Sequence, residues 1–271
     1  MFAKDLWVSI VDFKSLDAYP KLPCPFCNAK KLSLDPDVLQ FRNSPPNKGN
    51  VIVSREDKEI QKSFLNIYRE SKFFGVLYGI AVIGDKNKTS LKKFTAFFTC
   101  EECGGNVSAA GTAKIPNENL GNNLGASIKV EYFSPPVPMF DVSKYTPDPI
   151  AQEVLQAFNH FHCDLTGSGA KIRRAMEKLC KELGFVGKSL HHSIEAMGVI
   201  YPTQANWLKS LKLLGNEASH ADGVEEADLL KAFQILEAVL DLFRQRVIER
   251  SINELLPELD EKFRKSPAPA S

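Results

Sequence analysis

The stretch FTAFFTCEECGGNVSA, residues 94–109, decides the fold of the N-terminal half of the chain. Residues 91–99 alternate in the period-two manner of a half-buried β-strand, and a second strand candidate follows at 106–113. One face of the first strand would carry Phe94, Ala96 and Phe98, and the other Lys93, Thr95 and Phe97. The glycines between the strands can adopt the positive φ angles of a tight turn. The stretch therefore predicts two strands joined by a turn that presents Cys100 and Cys103.

A second Cys-x-x-Cys pair, Cys24 and Cys27, lies in the segment PCPFC, where the prolines restrict the turn. Two such pairs in a reducing compartment indicate metal ligands rather than disulfides. Four thiolates would close a tetrahedral site with no open position for a substrate. The sequence therefore predicts a structural zinc site made by Cys24, Cys27, Cys100 and Cys103, as part of a zinc ribbon.

The ribbon is expected to be embedded in an α+β domain, because other elements are predicted around it. A helix should begin near Ser54 and present an apolar face as far as Tyr68, and a β-rich run should follow at 73–83. Shorter strands are predicted at 32–34 and 128–133, and a loop at 43–50.

The composition changes after a proline-rich stretch at 134–149, which should be extended. Helices are predicted at 150–163, 169–183, 190–197, 203–221 and 224–254. The predicted organisation is a zinc-ribbon α+β domain at 1–133, a linker at 134–149, an all-α bundle at 150–265 and a disordered tail at 266–271.

The overall composition is that of a globular protein without a strong charge bias. The chain has 271 residues, a net charge of +1 and 44% hydrophobic residues, which argues against wholesale coating of nucleic acid. The start shows no signal-peptide pattern, and no apolar run approaches the roughly 20 residues of a membrane helix. We expect a cytoplasmic protein without a membrane partner. Cys163 and Cys180 are predicted to be buried on helices.

A polar stripe is predicted on the helix at 203–221. Lys212, Asn216 and His220 recur every fourth residue and so share one helical face. A buried polar group without a partner costs roughly 1 to 3 kcal/mol, so these groups should either fasten the bundle or bind a ligand.

The helical half resembles a known family at several places. The segments SPP at 134–136, GAKIRRAME at 169–177, LHHSI at 190–194 and LGNEASH at 214–220 resemble the domain of unknown function 4145 family. That family is placed among the HEPN-like helical bundles of prokaryotes and commonly follows a zinc ribbon. The resemblance covers about the C-terminal half and implies a HEPN-like bundle.

The resemblance also implies an activity to consider. Many HEPN domains are dimeric, metal-independent endoribonucleases, in which a histidine transfers a proton and an arginine holds the phosphate. His220 matches the histidine, but the nearest basic residue on its face, Lys212, is separated from it by seven residues where the motif has four to six. Arg174 could hold the phosphate from a neighbouring helix, and Glu177 could orient His220 or pair with Arg173.

Three interpretations remain open for these residues. Arg174, Glu177, Asn216 and His220 could form a satisfied polar network, a nuclease site or a non-catalytic ligand site. Our leading hypothesis is a non-catalytic recognition or regulatory module associated with RNA or DNA, in a prokaryotic defence or restriction system that the resemblance implies. The alternatives are an endoribonuclease using His220, with Lys212 or Arg174 on the phosphate, and an assembly subunit of a larger complex.

Two surfaces bear on these alternatives. A basic patch near the cysteine pairs is predicted from Lys30, Lys31, Lys92 and Lys93, with Phe94 and Phe97 as stacking surfaces. On the last helix, the apolar stripe from Leu229 to Val247 is either bundle core or the seam of a homodimer.

Overall fold

The computed structural model describes residues 2–43, 55–78, 89–117, 125–217 and 224–264, without the side chains of 55–62, 213–217 and 264. It is an α+β structure whose residues form two compact units. A sheet unit includes residues 9–22 and the described residues from 31 to 134, and a helical unit includes residues 2–8, 23–30 and those from 135 onward.

The sheet unit is built on five antiparallel strands in the order β1-β5-β4-β3-β2. The strands are β1 (Lys14–Ser15), β2 (Leu32–Asn43), β3 (Thr89–Cys100), β4 (Asn106–Pro116) and β5 (Ser127–Ser134). A short 3-10 helix, Leu16–Ala18, follows β1, and the helices α2 (Arg55–Glu70) and α3 (residues 72–78) lie between β2 and β3 in the chain. This confirms the predicted strands at 91–99, 106–113 and 128–133. It also confirms the helix that was predicted to reach Tyr68, which corresponds to α2.

The alternation within β3 is also confirmed. Phe94, Ala96 and Phe98 are buried, whereas Lys93, Thr95 and Phe97 are exposed. On the buried face, the ring of Phe98 packs edge-on against the rings of Tyr19 and Phe133, with centroids 5.5 and 5.6 Å away. The sheet therefore has one face in the core and one face toward solvent, as antiparallel sheets commonly do.

Strand β2 is much longer than the predicted strand at 32–34. Its register against β3 shifts between Asp35 and Gln40, where β2 bulges. Pro36 lies in this irregular part, and β2 is an edge strand, so the missing N–H of the proline leaves no ladder bond unmade. The bulge hides the period of two in the sequence, which explains why only the first residues were predicted.

The predicted β-rich run at 73–83 is wrong where the structure describes it. Residues 72–78 are helical, and the N–H of Gly75 donates to the carbonyl of Ser71 at 2.9 Å. A short apolar run cannot be assigned to helix or strand by periodicity alone, because both can bury it. The rest of this run, at 79–83, lies outside the described residues, as do Ser54 and nearly all of the predicted loop at 43–50.

The helical unit contains α1 (Lys4–Val8), α4 (Asp148–Phe161), α5 (Leu165–Glu182), α6 (Leu190–Met197), α7 (Pro202–Glu217) and α8 (Glu226–Arg264). Helix α1 belongs to this unit because Trp7 is fully buried and its Nε1–H donates to the carbonyl of Met139 at 3.1 Å. The aromatic core includes Phe158, whose ring meets those of Phe140 and Phe233 edge-on at 5.0 and 5.2 Å.

The predicted helices are present, with differences at their ends, and the last residues of the helix predicted at 203–221, from 218 onward, lie outside the described residues. Helix α5 begins earlier than predicted because the Asp164 carboxylate caps it by accepting from the N–H of Gly167 at 2.9 Å. Helix α8 continues through Pro257 to Arg264, ten residues past the predicted end. Among the described helices, none is long and apolar enough to cross a membrane. The predicted tail at 266–271 lies outside the described residues.

Candidate functional site

The first cysteine pair lies on a tight turn between Leu22 and Leu32, which form a two-way backbone bridge with N–O distances of 2.8 and 3.0 Å. Within the turn, the N–H of Asn28 donates to the carbonyl of Cys24 at 3.0 Å. Asn28 has a φ of 59°, an angle that asparagine tolerates better than most residues. The turn thereby folds back and places Cys24 and Cys27 side by side.

The second pair uses the same design. The N–H of Gly104 donates to the carbonyl of Cys100 at 2.9 Å, and Gly104 has a φ of 69°. The residue after the second cysteine is thus left-handed in both turns, Asn28 in one and Gly104 in the other. The positive φ at the glycine turn was predicted from the sequence, whereas its counterpart at Asn28 was not.

The two turns bring four thiols together. The Sγ atoms of Cys24, Cys27, Cys100 and Cys103 all lie within 4.8 Å of one another. In a tetrahedral Zn²⁺ site with Zn–S bonds of about 2.3 Å, the sulfurs would be roughly 3.8 Å apart, so the cluster needs only a small contraction to hold an ion. Cys24 and Cys100 are buried, and Cys27 and Cys103 are exposed. These four residues could hold a metal ion.

Carboxylates surround the second turn and pair with nearby cations. Lys21 Nζ lies 2.6 Å from Glu101 Oε2, and Lys31 Nζ lies 2.5 Å from Glu102 Oε2. Hydrogen bonds from Lys21 and Ser33 lower the pKa of Glu101, and the hydrogen bond from Lys31 lowers that of Glu102. Lys31 is therefore balanced by an acid and adds no net charge to the basic patch predicted around the cysteines.

The two other cysteines differ from each other. Cys180 is buried on α5, as predicted, and burial raises the pKa of its thiol to about 11. The prediction for Cys163 is wrong, because this residue follows the end of α4 in a turn and is exposed. Helix α4 ends at Phe161, so the sequence pattern extended the helix two residues too far.

The solvent face of the sheet carries a regular array of side chains. Residues in register across antiparallel strands share a face, so each row of partners is a row of neighbouring side chains. The array consists of three rows: Asp35, Phe97, Ser108 and Ser134; Gln40, Thr95, Ala110 and Tyr132; and Arg42, Lys93, Thr112 and Lys129. We call this surface the open sheet face.

Two aromatic rings stand on the open sheet face. Phe97 is 48% exposed and Tyr132 is 50% exposed. They lie on β3 and β5, in adjacent rows, with only the small residues Ser108 and Ala110 between them on β4. Strand spacing and rise place their backbones roughly 12 Å apart.

The third row is basic. Arg42, Lys93 and Lys129 occupy it, and Lys93 Nζ lies 3.1 Å from Glu131 Oε2. Glu131 reaches this face because β5 bulges against β4 between Ala110 and Gly111. One carboxylate therefore offsets one of the three cations.

The predicted aromatic patch is corrected by the structure. Phe94 is buried, with 2% exposure, because it lies on the core face of β3. Phe97 is on the solvent face, as predicted, and its aromatic neighbour there is Tyr132. Tyr132 could not be recognised from the sequence, because its proximity depends on the register of β3, β4 and β5.

The candidate site in the helical part is described only in part. His220 lies outside the described residues, and the side chain of Asn216 is not described, although its backbone belongs to α7. Lys212 is half-buried on the same helix. The nuclease interpretation of His220, Lys212 and Arg174 stays a prediction.

The described members of the predicted polar network have local partners. Arg173 Nε lies 3.3 Å from Glu177 Oε1, in the i, i+4 pair that the sequence suggested. Arg174 Nη2 lies 3.2 Å from Glu153 Oε1, on α4. Glu153 had not been predicted to take part.

Glu153 is the centre of a cluster of charges. Glu153 is 4% exposed. Besides Arg174, its carboxylate pairs with Lys178, whose Nζ lies 2.7 Å away, and with Lys171, whose Nζ lies 3.4 Å away. Burial disfavours the charged carboxylate, but the hydrogen bond from Lys178 and the charges of the three cations outweigh it, so the pKa of Glu153 lies below its usual value. The cluster fastens α5 to α4, and Lys178 also donates to the carbonyl of Pro149 at 3.1 Å.

His162 is another titratable group of the helical unit whose pKa is shifted. Its ring lies beside those of Trp7 and Phe161, with centroids 6.0 and 5.3 Å away, and its Nε2 atom is buried. Burial lowers the pKa of His162 to about 4. The residue is therefore neutral at physiological pH.

Comparison with known proteins agrees with the resemblance of the helical part. No curated protein and no solved structure was found to match the chain. Residues 152–266 match the model of a family described as Domain of unknown function (DUF4145), which supports this domain family for the helical part, less than half of the chain.

Proposed function

We propose that this protein is a non-catalytic recognition module that binds single-stranded nucleic acid on the open sheet face. The observation that carries the proposal is the pair of half-exposed rings, Phe97 and Tyr132, on the solvent side of an antiparallel sheet. Single-stranded RNA and DNA are commonly bound by aromatic side chains on which bases stack, next to cations that follow the phosphates.

The spacing of the rings suits this role. The side chains of Ser108 and Ala110, which lie between Phe97 and Tyr132, are too small to fill the space between the two rings. Each ring can therefore present a face to a separate base. Stacking contributes about 1 to 3 kcal/mol per base and is tolerant of sequence, because every base has a π face.

The basic row lies on the Tyr132 side of the array. Arg42 and Lys129 are at its two ends, and Lys93 and Glu131 occupy its middle. A strand that stacks on the rings would pass its phosphates along this row. The near-neutral net charge of the chain agrees with local binding to a short strand rather than coating of a duplex.

Binding of fluorescein-labelled oligonucleotides tests the proposal. Fluorescence anisotropy at low salt should show binding of single-stranded RNA or DNA of mixed sequence, with weaker binding of the matched duplex. Phe97→Ala and Tyr132→Ala should each weaken binding about tenfold, since each removes one stacking platform. Comparing RNA with DNA identifies the preferred strand.

Tyr145→Ala is the matched control, because Tyr145 is 38% exposed in the helical unit and lies away from the sheet in sequence. It should leave affinity unchanged. Absence of binding by the wild-type protein at low salt, or equal binding by all variants, would contradict the proposal.

We also infer that the four-cysteine cluster holds a structural Zn²⁺ ion, in the manner of a zinc ribbon. An all-sulfur tetrahedral donor set suits zinc, and four protein ligands leave no position for a substrate. The support is the shared design of the two turns and the mutual approach of the sulfurs within 4.8 Å. The ion would fix the turn that precedes β2 and the turn that joins β3 to β4.

Metal analysis tests this inference. Protein purified without added metal should contain about one zinc ion per chain, as measured by inductively coupled plasma mass spectrometry. Cys103→Ser should lose it, whereas Cys163→Ser, which changes an exposed thiol outside the cluster, should retain it. A wild-type protein that remains metal-free after refolding with zinc would contradict the inference.

A further inference from the structure

Residues 244–263 of α8, the last residues of this helix whose side chains are described, have no described core to pack against. Every residue from 244 to 263 is exposed, whereas residues 229, 230, 232, 233, 236, 239, 240, 242 and 243 of the same helix are buried. At 1.5 Å per residue this exposed segment is about 30 Å long. We call it the projecting segment.

The projecting segment carries an apolar stripe. Ile248, Ile252, Leu255 and Leu259 are 48 to 56% exposed and follow one another at spacings of four, three and four residues. This is the a/d spacing of a coiled coil, in which each apolar side chain enters a gap on a partner helix. Pro257 lies on the opposite side of the helix, about 180° from the stripe, where it does not obstruct a partner.

The stripe is symmetric about its own midpoint. Ile252 and Leu255 are equally distant from the centre of the segment, and so are Ile248 and Leu259. Two copies laid antiparallel would therefore set each isoleucine against a leucine of the other copy. An interface related by a two-fold axis requires this self-complementarity.

The charges are self-complementary in the same sense. Residues 244–253 contain three arginines and one glutamate, whereas residues 254–263 contain four carboxylates and one lysine. Antiparallel pairing places the basic half of one copy beside the acidic half of the other, and parallel pairing would place like charges together.

We propose that the projecting segment pairs antiparallel with the same segment of a second copy of this chain and so makes a homodimer. The partner is a second copy because both patterns are self-complementary. In an antiparallel pair, the apolar residues of one segment face those of the other, and the basic half of one faces the acidic half of the other. The proposal is independent of nucleic-acid binding, since it uses no residue of the open sheet face.

Light scattering after size exclusion of the full chain tests the proposal. The wild type should be a dimer at tens of micromolar, and Ile252→Asn combined with Leu255→Asn should raise the dissociation constant at least a hundredfold. The matched control is Val199→Asn combined with Ile200→Asn, two residues that are 85% and 62% exposed outside α8, and it should remain dimeric. A monomeric wild type, or a dimer that the variant in the segment leaves intact, would overturn the proposal.

Charge reversal tests the direction of pairing. Arg246→Glu with Arg250→Glu should weaken the dimer at least tenfold, and so should Glu258→Lys with Glu261→Lys. Mixing the two variant proteins should restore dimerisation, because the antiparallel arrangement then sets opposite charges together at both ends. Failure of the mixture to dimerise more tightly than either variant would overturn the antiparallel arrangement.

Discussion

Aromatic and basic side chains are used in opposite ways in the helical unit and on the open sheet face. In the helical unit, Phe158 is fully buried among other rings, and three cations converge on the buried carboxylate of Glu153. On the sheet, Phe97 and Tyr132 are half-exposed, and one carboxylate offsets one of the three cations of the basic row. The first arrangement stabilises the fold, and the second leaves groups available to a ligand.

The largest expected difference concerns the rings. Phe158→Ala should lower the free energy of unfolding by about 3 to 5 kcal/mol, because it opens a cavity between Phe140 and Phe233. Phe97→Ala should lower it by less than about 1 kcal/mol, since its ring is already half in water. Urea unfolding followed by circular dichroism measures both. Equal losses of unfolding free energy in the two variants would contradict the assignment of Phe158 to the core and of Phe97 to a ligand-binding surface.

The next effect is a pH dependence in the helical unit. The pKa of His162 is depressed to about 4 in the folded protein and is near 6.5 when unfolded, so the unfolded state binds more protons between these values. The contribution of neutral His162 to stability is complete above pH 6.5 and is lost as the pH falls toward 4. The loss at pH 4.5 should be about 2.5 kcal/mol.

Urea unfolding at pH 7 and pH 4.5 measures the pH-dependent change in stability. Comparing wild type with a variant that lacks His162 separates the contribution of this histidine from that of the other titratable groups. His162→Phe should reduce the pH-dependent difference by that amount. An identical pH dependence in wild type and His162→Phe would mean that the histidine is not held neutral.

A smaller difference in stability is expected between substitutions of Glu153 and Glu177, two carboxylates that pair with cations of α5. Glu153→Gln should cost roughly 2 kcal/mol, because three cations would lose a buried partner, although their own partial exposure screens part of the loss. Glu177→Gln removes an exposed pair with Arg173 and should cost less than about 0.5 kcal/mol. Thermal unfolding of the two variants gives the comparison, and a greater loss for Glu177→Gln would reverse the assigned roles.

The smallest effect concerns the basic row. Lys129→Gln and Arg42→Gln should each weaken oligonucleotide binding a few-fold and reduce the slope of log affinity against log salt by about one. Lys93→Gln should have less effect, because Lys93 already pairs with Glu131. Anisotropy titrations at several salt concentrations measure these slopes. A slope that none of the three variants changes would remove the basic row from the binding surface.

Features with a local sequence signal were predicted well. The two cysteine pairs, the two faces of β3 and the helix at 190–197 each have a short-range pattern. The structure brings the four thiols close enough to hold a metal ion, and it agrees with the predicted faces of β3 and with the helix. The bulge in β2 and the helix at 72–78 were missed because a bulge breaks the period of two, and a short apolar run fits either structure.

Features that need tertiary contacts were not visible in the sequence. Glu153 is ordinary in α4 until the fold brings Lys171, Arg174 and Lys178 to it, although the density of cations on α5 hinted at an acidic partner. Tyr132 likewise becomes a neighbour of Phe97 only through the registers of three strands.

The most direct test of the central claim is a stacking measurement on the open sheet face. The chain has two tryptophans, of which Trp7 is buried and Trp207 is 40% exposed, so Phe97→Trp in a Trp207→Phe background provides an emission signal at the proposed contact. Titration with a single-stranded oligonucleotide should quench this emission over the same concentrations at which anisotropy reports binding. Binding without any change in emission would contradict a site on the sheet.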